Sequence, residues 1–435
     1  MSINNSLNAK LAAATCALLG SSIAGPVKAA EADQWSFDSS LLYYGESDNR
    51  VKDVSATVSA QRAFDDERQL GLSLTADTLT GASASGAIAL DRAQTFTSPS
   101  GNKVYSTPSG AVPLDDTFLD TRFALNASWT QPIARLYTFS AGLGFSTEYD
   151  YKHIGANLLL ARDFNKRNTT VSIGAAYSQD DIEPVGGAPV PLSQMLDVGN
   201  DNNKRGNDSK DVIDLLVGFT QVLGRNTVLR LNYSYSDSSG YLNDPYKILS
   251  VVDPVTGDTL TRIPVGGAQG PNGLYMYESR PDSRTKQSLY AEMKHAFGKP
   301  VLHLAYRFMT DDWGIDSSTL DARLRWPVGA SSYIEPQLRY YTQSEADFYR
   351  ASIVSGRPLP EFASADFRLG NFDAITGGFK FGHVTSGGNE WSVRAEYYMQ
   401  SGDVPSEQII GNQHNREQYP DLNAVIVQFG YKFGL

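Results

Sequence analysis

Hydrophobic and polar positions alternate along this chain in one short segment after another. Trp35, Phe37, Leu41 and Tyr43 are separated by mostly polar residues, and Leu70, Leu72 and Leu74 repeat the pattern. Leu119, Phe123, Leu125 and Trp129 lead to a turn at Gln131-Pro132, after which Tyr137, Phe139, Leu143 and Phe145 resume the alternation. Ile154, Leu158 and Leu160 turn through Asn165-Lys166-Arg167-Asn168 into Val171, Ile173 and Tyr177. Ile213, Leu215, Val217 and Phe219 turn through Leu223-Gly224-Arg225-Asn226 into the segment from Val228 to Tyr235. Leu289 to Phe297, Leu302 to Phe308, Leu320 to Trp326, Ile334 to Tyr340, Ile375 to Phe381 and Trp391 to Tyr397 continue it. Period two puts every second side chain on one face of a strand. About sixteen such segments occur (fourteen to eighteen), each near or above the ~10 residues that a tilted membrane strand needs.

The connections alternate as well. Short turns fall near Asp65, Gln131, Asn165, Arg225, Lys299, Gly329 and Gly387, and long polar segments fall at about 81–116, 180–210, 237–284, 344–366 and 402–419. Outer-membrane barrels have short periplasmic turns and long extracellular loops, with an even strand count when both termini lie inside. The pattern predicts an all-β fold: a transmembrane antiparallel up-and-down β-barrel. A soluble sandwich or propeller is the alternative, but no repeat of ~40–50 residues supports a propeller.

The two ends agree with that reading. Val425, Val427, Phe429, Tyr431, Phe433 and Leu435 alternate up to the last residue. An uncovered aromatic edge strand is an aggregation template, and closing a barrel removes the edge. Gln428, Gly430, Phe433 and Leu435 resemble the C-terminal signal of outer-membrane barrels, which the barrel-insertion machinery reads; Leu435 stands where Phe is usual. At the other end Lys10 precedes an apolar run to Val27, and small residues fit cleavage after Ala29, or up to Ala32. Residues 1–29 are thus expected to be a signal peptide and 30–435 one barrel domain, placed in the outer membrane of a Gram-negative cell.

Composition narrows the function classes. The lone cysteine, Cys16, falls within the leader, so the mature chain offers no disulfide or thiol nucleophile. The formal charge is −11 and becomes −13 without Lys10 and Lys28, which argues against nucleic-acid binding. Mean hydropathy is −0.31, yet 23 Tyr and 19 Phe suit interfacial aromatic girdles.

If the apolar face of each strand meets lipid, the other face lines a lumen. Those positions collect Arg230, Glu292, Lys294, His303, Arg307, Asp321, Arg323, Arg325, Glu335, Arg339, Arg394 and Glu396. Two compatible roles follow: ladders that stiffen the wall and partly fill the lumen, or the lining of a water-filled passage whose selectivity they set. Chemistry beyond this is sparse. His153, His295, His303, His383 and His414 match no metal-binding spacing, no Gly-x-Ser-x-Gly elbow occurs, and no cofactor is expected. Asp197, Asn200, Asp201, Asn203, Asn207, Asp208 and Asp211 crowd one loop but fail the EF-hand pattern, so a solvated loop is expected.

Three motifs carry a family resemblance: Tyr277-Glu278-Ser279-Arg280-Pro281-Asp282-Ser283-Arg284, Tyr306 to Ile315, and Arg339 to Tyr349. With them the chain resembles a family of uncharacterised proteobacterial exported proteins catalogued only as a domain of unknown function. The resemblance implies possible envelope partners linked to redox or flavin chemistry, and it supplies no catalytic residue. Arg280, Arg284, Asp311, Asp312 and Arg339 are placed to tie the longest loop over the barrel mouth through charge-assisted hydrogen bonds. The expected function is a channel or transport-related barrel. The alternatives are a structural or assembly barrel closed by its own charges and loops, scaffolding an envelope partner, and an outer-membrane hydrolase.

Overall fold

A computed structural model describes residues 34–47, 50–65, 67–200 and 203–434. The expected leader with Ala29 and Ala32, and the terminal Leu435, lie outside the described residues. Sixteen antiparallel strands close into a barrel. In chain order they are β1 Trp35–Glu46, β2 Lys52–Ala63, β3 Gln69–Ala84, β4 Leu114–Ala134, β5 Tyr137–Thr147, β6 Tyr151–Phe164, β7 Thr169–Ile182 and β8 Asp208–Gly224. The second half comprises β9 Thr227–Gly240, β10 Ser283–Ala296, β11 Val301–Asp311, β12 Asp316–Val328, β13 Ser332–Gln343, β14 Asn371–Val384, β15 Glu390–Asp403 and β16 Leu422–Gly434.

Each strand pairs with its sequence neighbours, and β16 closes on β1 in a register that sets Phe433 opposite Phe37. Their rings stack with centroids 5.0 Å apart. Gln428 and Gly430 face Leu42 and Ser40 across that seam. Closure leaves no unpaired edge. The alternating residues read from the sequence point outward: Leu125, Leu143, Ile154, Ile173, Val217 and Leu338 are all more than half exposed. Such a surface belongs against lipid.

One turn differs from the sequence expectation. The strand continues through Gln131-Pro132 to Ala134, with a register shift between Pro132 and Ala134. Proline has no N–H to give the ladder, so the strand bulges there and turns at Arg135-Leu136 instead.

Every connection at one end of the barrel is a turn of 2–5 residues. At the other end, segments 85–113, 183–207, 241–282, 344–370 and 404–421 fold on one another into a cap. Its centre is a three-stranded sheet of Tyr275–Tyr277, Ile248–Val252 and Ile353–Val354. Phe96 is fully buried between Tyr105 and Tyr275, with centroids 5.1 and 4.7 Å away. A second cluster joins Ala84, Leu242, Trp313, Ile315, Phe348, Phe367 and Tyr419. Ala84 ends β3 and Trp313 follows β11, half a circuit away around the barrel, so this apolar core crosses the mouth. Gly257 fixes one seam of the cap. Its φ is +72°, and a Cβ there would lie 2.0 Å from the Ile410 carbonyl oxygen. Only glycine allows segments 241–282 and 404–421 to approach that closely.

Candidate functional site

The strand register fixes which side chains enter the lumen. All twelve charged residues singled out from the sequence fall on the inward parity of β9 to β15. Most of them gather around two carboxylates. Glu292 on β10 accepts from the Tyr290 hydroxyl at 2.8 Å and lies 3.9 Å from Arg230, 3.3 Å from Lys294 and 3.3 Å from His303 Nε2. Asp321 on β12 accepts from Arg323 Nε at 2.7 Å and Arg339 Nε at 3.1 Å. His303 Nδ1 lies 4.0 Å from Asp321, so His303 stands between the two groups. Arg394 and Glu396 form a separate pair at 3.5 Å on β15.

Three residues join no ion pair among the described residues. Arg307 lies 5.7 Å above the Tyr290 ring, and Arg325 lies 3.6 Å above the Tyr333 ring. Glu335 sits across from Lys380 in the register. The Tyr333 ring is itself seated over Gly382, where a Cβ would come within 2.2 Å of the ring. Its hydroxyl donates to Glu390 at 2.6 Å. Tyr333 is therefore a fixed platform for the Arg325 guanidinium, a cation–π arrangement.

The inward face of β4 to β7 is different. It presents Asn126, Ser128, Ser140, Gly142, Asn157 and Ser172, small and uncharged, with Asn126 and Ser128 exposed to the lumen. These side chains therefore leave space in the middle of the lumen. Among the charged groups on this half that were not singled out from the sequence, two clusters stand out. Arg122 pairs with Asp77 at 2.9 Å. Higher up, Asp180 lies 2.7 Å from Lys210 and also binds His153 and Tyr151. All are at inward positions, so carrying the inward parity through β3 to β8 would have found them.

The cap holds a second set of buried charges. Arg280 bridges Glu278 and Asp366, each at 2.7 Å. Arg368 joins Asp366 to Asp244. The buried Lys247 donates to the Ala84 carbonyl at the end of β3. Burial alone would raise the Asp366 carboxyl, but Arg368, Lys247 and Arg280 hold it well below the usual carboxylate range. Burial pushes Glu278 up despite Arg280, and pushes Lys247 down. Three acids and three bases balance here, and they clamp segment 241–282 to segment 344–370 and to the barrel rim.

Of the residues expected to tie the loop down, Arg280 does so through Glu278 and Asp366. Arg284 instead pairs with Asp311 under Trp313, whose ring lies 4.3 Å away. Asp312 accepts from the Thr285 amide at 3.0 Å. Arg339 takes no part in the cap, because its strand position places it deep in the lumen beside Asp321. The acidic loop expected to be solvated is anchored too: Arg262 grips Asp197 with both amino groups and holds its pKa down. On the rim, the carboxylates of Asp120, Glu148 and Asp150 lie within 4.8 Å of one another. Burial and then Asp120 and Glu148 push Asp150 up to about 7.

Comparison with known proteins adds the family. None of the curated proteins matches this sequence. Among solved structures, the chain is similar to "CymD monoaromatic hydrocarbon channel" at 9% identity, covering 93% of this chain and 89% of that one, with a TM-score of 0.40. It is similar to CdiB from Acinetobacter baumannii at 9% identity, covering 92% of this chain and 60% of that one, with a TM-score of 0.45. It is also similar to the siderophore receptor PirA from Acinetobacter baumannii at 8% identity, covering 86% and 53%, with a TM-score of 0.39. The chain thus spans little more than half the length of the last two. At such identities and scores no substrate or role passes from them to this protein. The family model described as "Protein of unknown function (DUF3570)" matches residues 8–433, and the chain belongs to that family.

Proposed function

We propose that this protein is an outer-membrane passage for small polar solutes, closed at its outer mouth by the folded cap. The observation that carries the reading is the state of the lumen charges. Side chains of Arg323 and Arg339 remain 31% and 25% exposed although they point inward from mid-strand, and Lys294, two residues from the short-turn end of β10, remains 35% exposed. A lumen filled by its own wall would bury them. Rings of charged side chains set selectivity in water-filled pores. Export through a signal peptide cleaved after Ala29, or by Ala32, and insertion by the barrel-assembly machinery through the C-terminal strand belong to the same reading.

The test is planar-bilayer conductance of the refolded full chain and of a variant lacking residues 245–275, which removes most of the cap sheet. The expected result is low conductance in the parent and a rise of tenfold or more in the deletion. The apolar core across the mouth favours a second reading, a closed structural barrel that scaffolds an envelope partner. Silence in both proteins, with the heat-modifiable barrel intact, would support that reading and reject the passage.

A further inference from the structure

We propose that the inward face of β11 to β13 is a binding site for oxyanions, carboxylate or phosphate, entering the lumen of the passage proposed above. Four arginines, Arg307, Arg323, Arg325 and Arg339, come from three adjacent strands; Arg323 and Arg339 share one carboxylate, Asp321, while Glu335 on the same face joins no ion pair among the described residues. The bonding leaves them available. Arg323 and Arg339 both engage Asp321 through Nε, and no hydrogen bond holds the Nη groups of either among the described residues. Asp321 is 4% exposed, so it serves as a buried post that sets two guanidinium groups side by side. Arg307 and Arg325 lie over tyrosine rings rather than against acids. Stacking engages the face of a guanidinium and leaves its N–H edge free to donate.

The charge count points the same way. The twelve inward residues of β9 to β15 comprise seven Lys or Arg and four acids, before His303. Lys380 adds another inward cation beside Glu335, and Glu390 another inward acid against Tyr333, so the excess stands. In a protein with formal charge −11, this wall carries a local excess of positive charge. At mid-barrel the facing wall of β4 to β7 bears Ser, Asn and Gly, and its inward Arg122 and Asp180 already have partners in Asp77 and Lys210. Oxyanions suit the site better than halides, because a planar fork of N–H donors matches two oxygens held on one atom. The cap closes the long-loop end only, so ligand reaches this wall from the short-turn end.

The test is equilibrium binding by calorimetry on the refolded full chain, with inorganic phosphate and succinate as separate probes and tetramethylammonium as the cation control. The expected result is saturable binding of at least one oxyanion and none of the cation. The tighter of the two probes identifies whether phosphate or carboxylate is the natural chemistry. Arg323→Gln/Arg339→Gln should weaken binding tenfold or more. Arg307→Gln/Arg325→Gln, which breaks no ion pair and so spares the fold, should weaken it about threefold, the loss of a modest charge-assisted contact. No binding of either oxyanion, or unchanged affinity in both variants, overturns the proposal. Binding needs no current, so a silent barrel that binds oxyanions rejects the passage alone, and a conducting barrel that binds none rejects the site alone.

Discussion

The cap and the lumen wall are both built around arginines on carboxylates, yet they do different work. In the cap, Arg280, Arg368 and Lys247 meet Glu278, Asp366 and Asp244, matched one for one, with Arg368 and Asp244 half-buried and the other four buried. In the wall, Asp321 holds two arginines by Nε while two more rest on tyrosines, and Arg323 and Arg339 keep 31% and 25% of their surface open. A charge-balanced, largely buried cluster is an adhesive. An unsaturated cluster facing water is a receptor. The stoichiometry and exposure of the same residue types separate the two roles.

Three changes sharpen that contrast, and the largest effect falls in the cap. Asp366→Asn leaves Arg280, Arg368 and Lys247 without their shared carboxylate. Removing one partner of a buried pair costs about 3–5 kcal/mol, so hydrogen exchange should accelerate across segments 241–282 and 344–370 while the barrel strands stay protected. Equal protection in both proteins would show that the apolar clusters alone hold the cap. Next is the lipid face. Leu125→Arg places a charge on the outward surface of β4, where the cost is ~2–4 kcal/mol near the bilayer midplane. Urea unfolding in lipid vesicles should lose that much stability without loosening the cap. A neutral effect would mean that this face does not meet lipid.

The smallest effect is a pH dependence at the rim. Burial, with Asp120 and Glu148, raises Asp150 to about 7 from an ordinary value of 3.8, and the Tyr246 hydroxyl contacts it. A carboxyl raised on folding contributes stability that is full below its unfolded pKa and is lost as pH rises through the folded one. Backbone exchange at residues 241–246, corrected for intrinsic rates, should therefore speed up progressively from about pH 4 to about pH 7 and level off above it. A flat profile, or the reverse slope, would place Asp150 in the ionised state throughout.

The wall was legible in the sequence and the cap was not, for a physical reason. A strand with one face on lipid and one on water writes its structure as alternation, as in Leu119, Phe123 and Leu125 or in the closing strand to Phe433. The cap is built from short pieces buried on both faces, such as Ile248–Val252, whose five residues are all buried. A run that short has no period to read. Asp197 looked like a solvated loop acid because its partner, Arg262, is 65 residues away in sequence, and Asp244 and Arg368, 124 residues apart, drew no notice at all. The inward arginines fell out of parity, but the choice of Nε over Nη toward Asp321 is a matter of rotamer and could come only from the structure.

The most direct test of the account records single-channel current from the full-length parent and from Asp366→Asn in the same lipid and at the same voltage. A capped, oxyanion-binding passage predicts rare openings in the parent and frequent stepwise openings in the variant, with the current carried mainly by anions. Silence in both, with hydrogen exchange showing the variant's cap released, would contradict it.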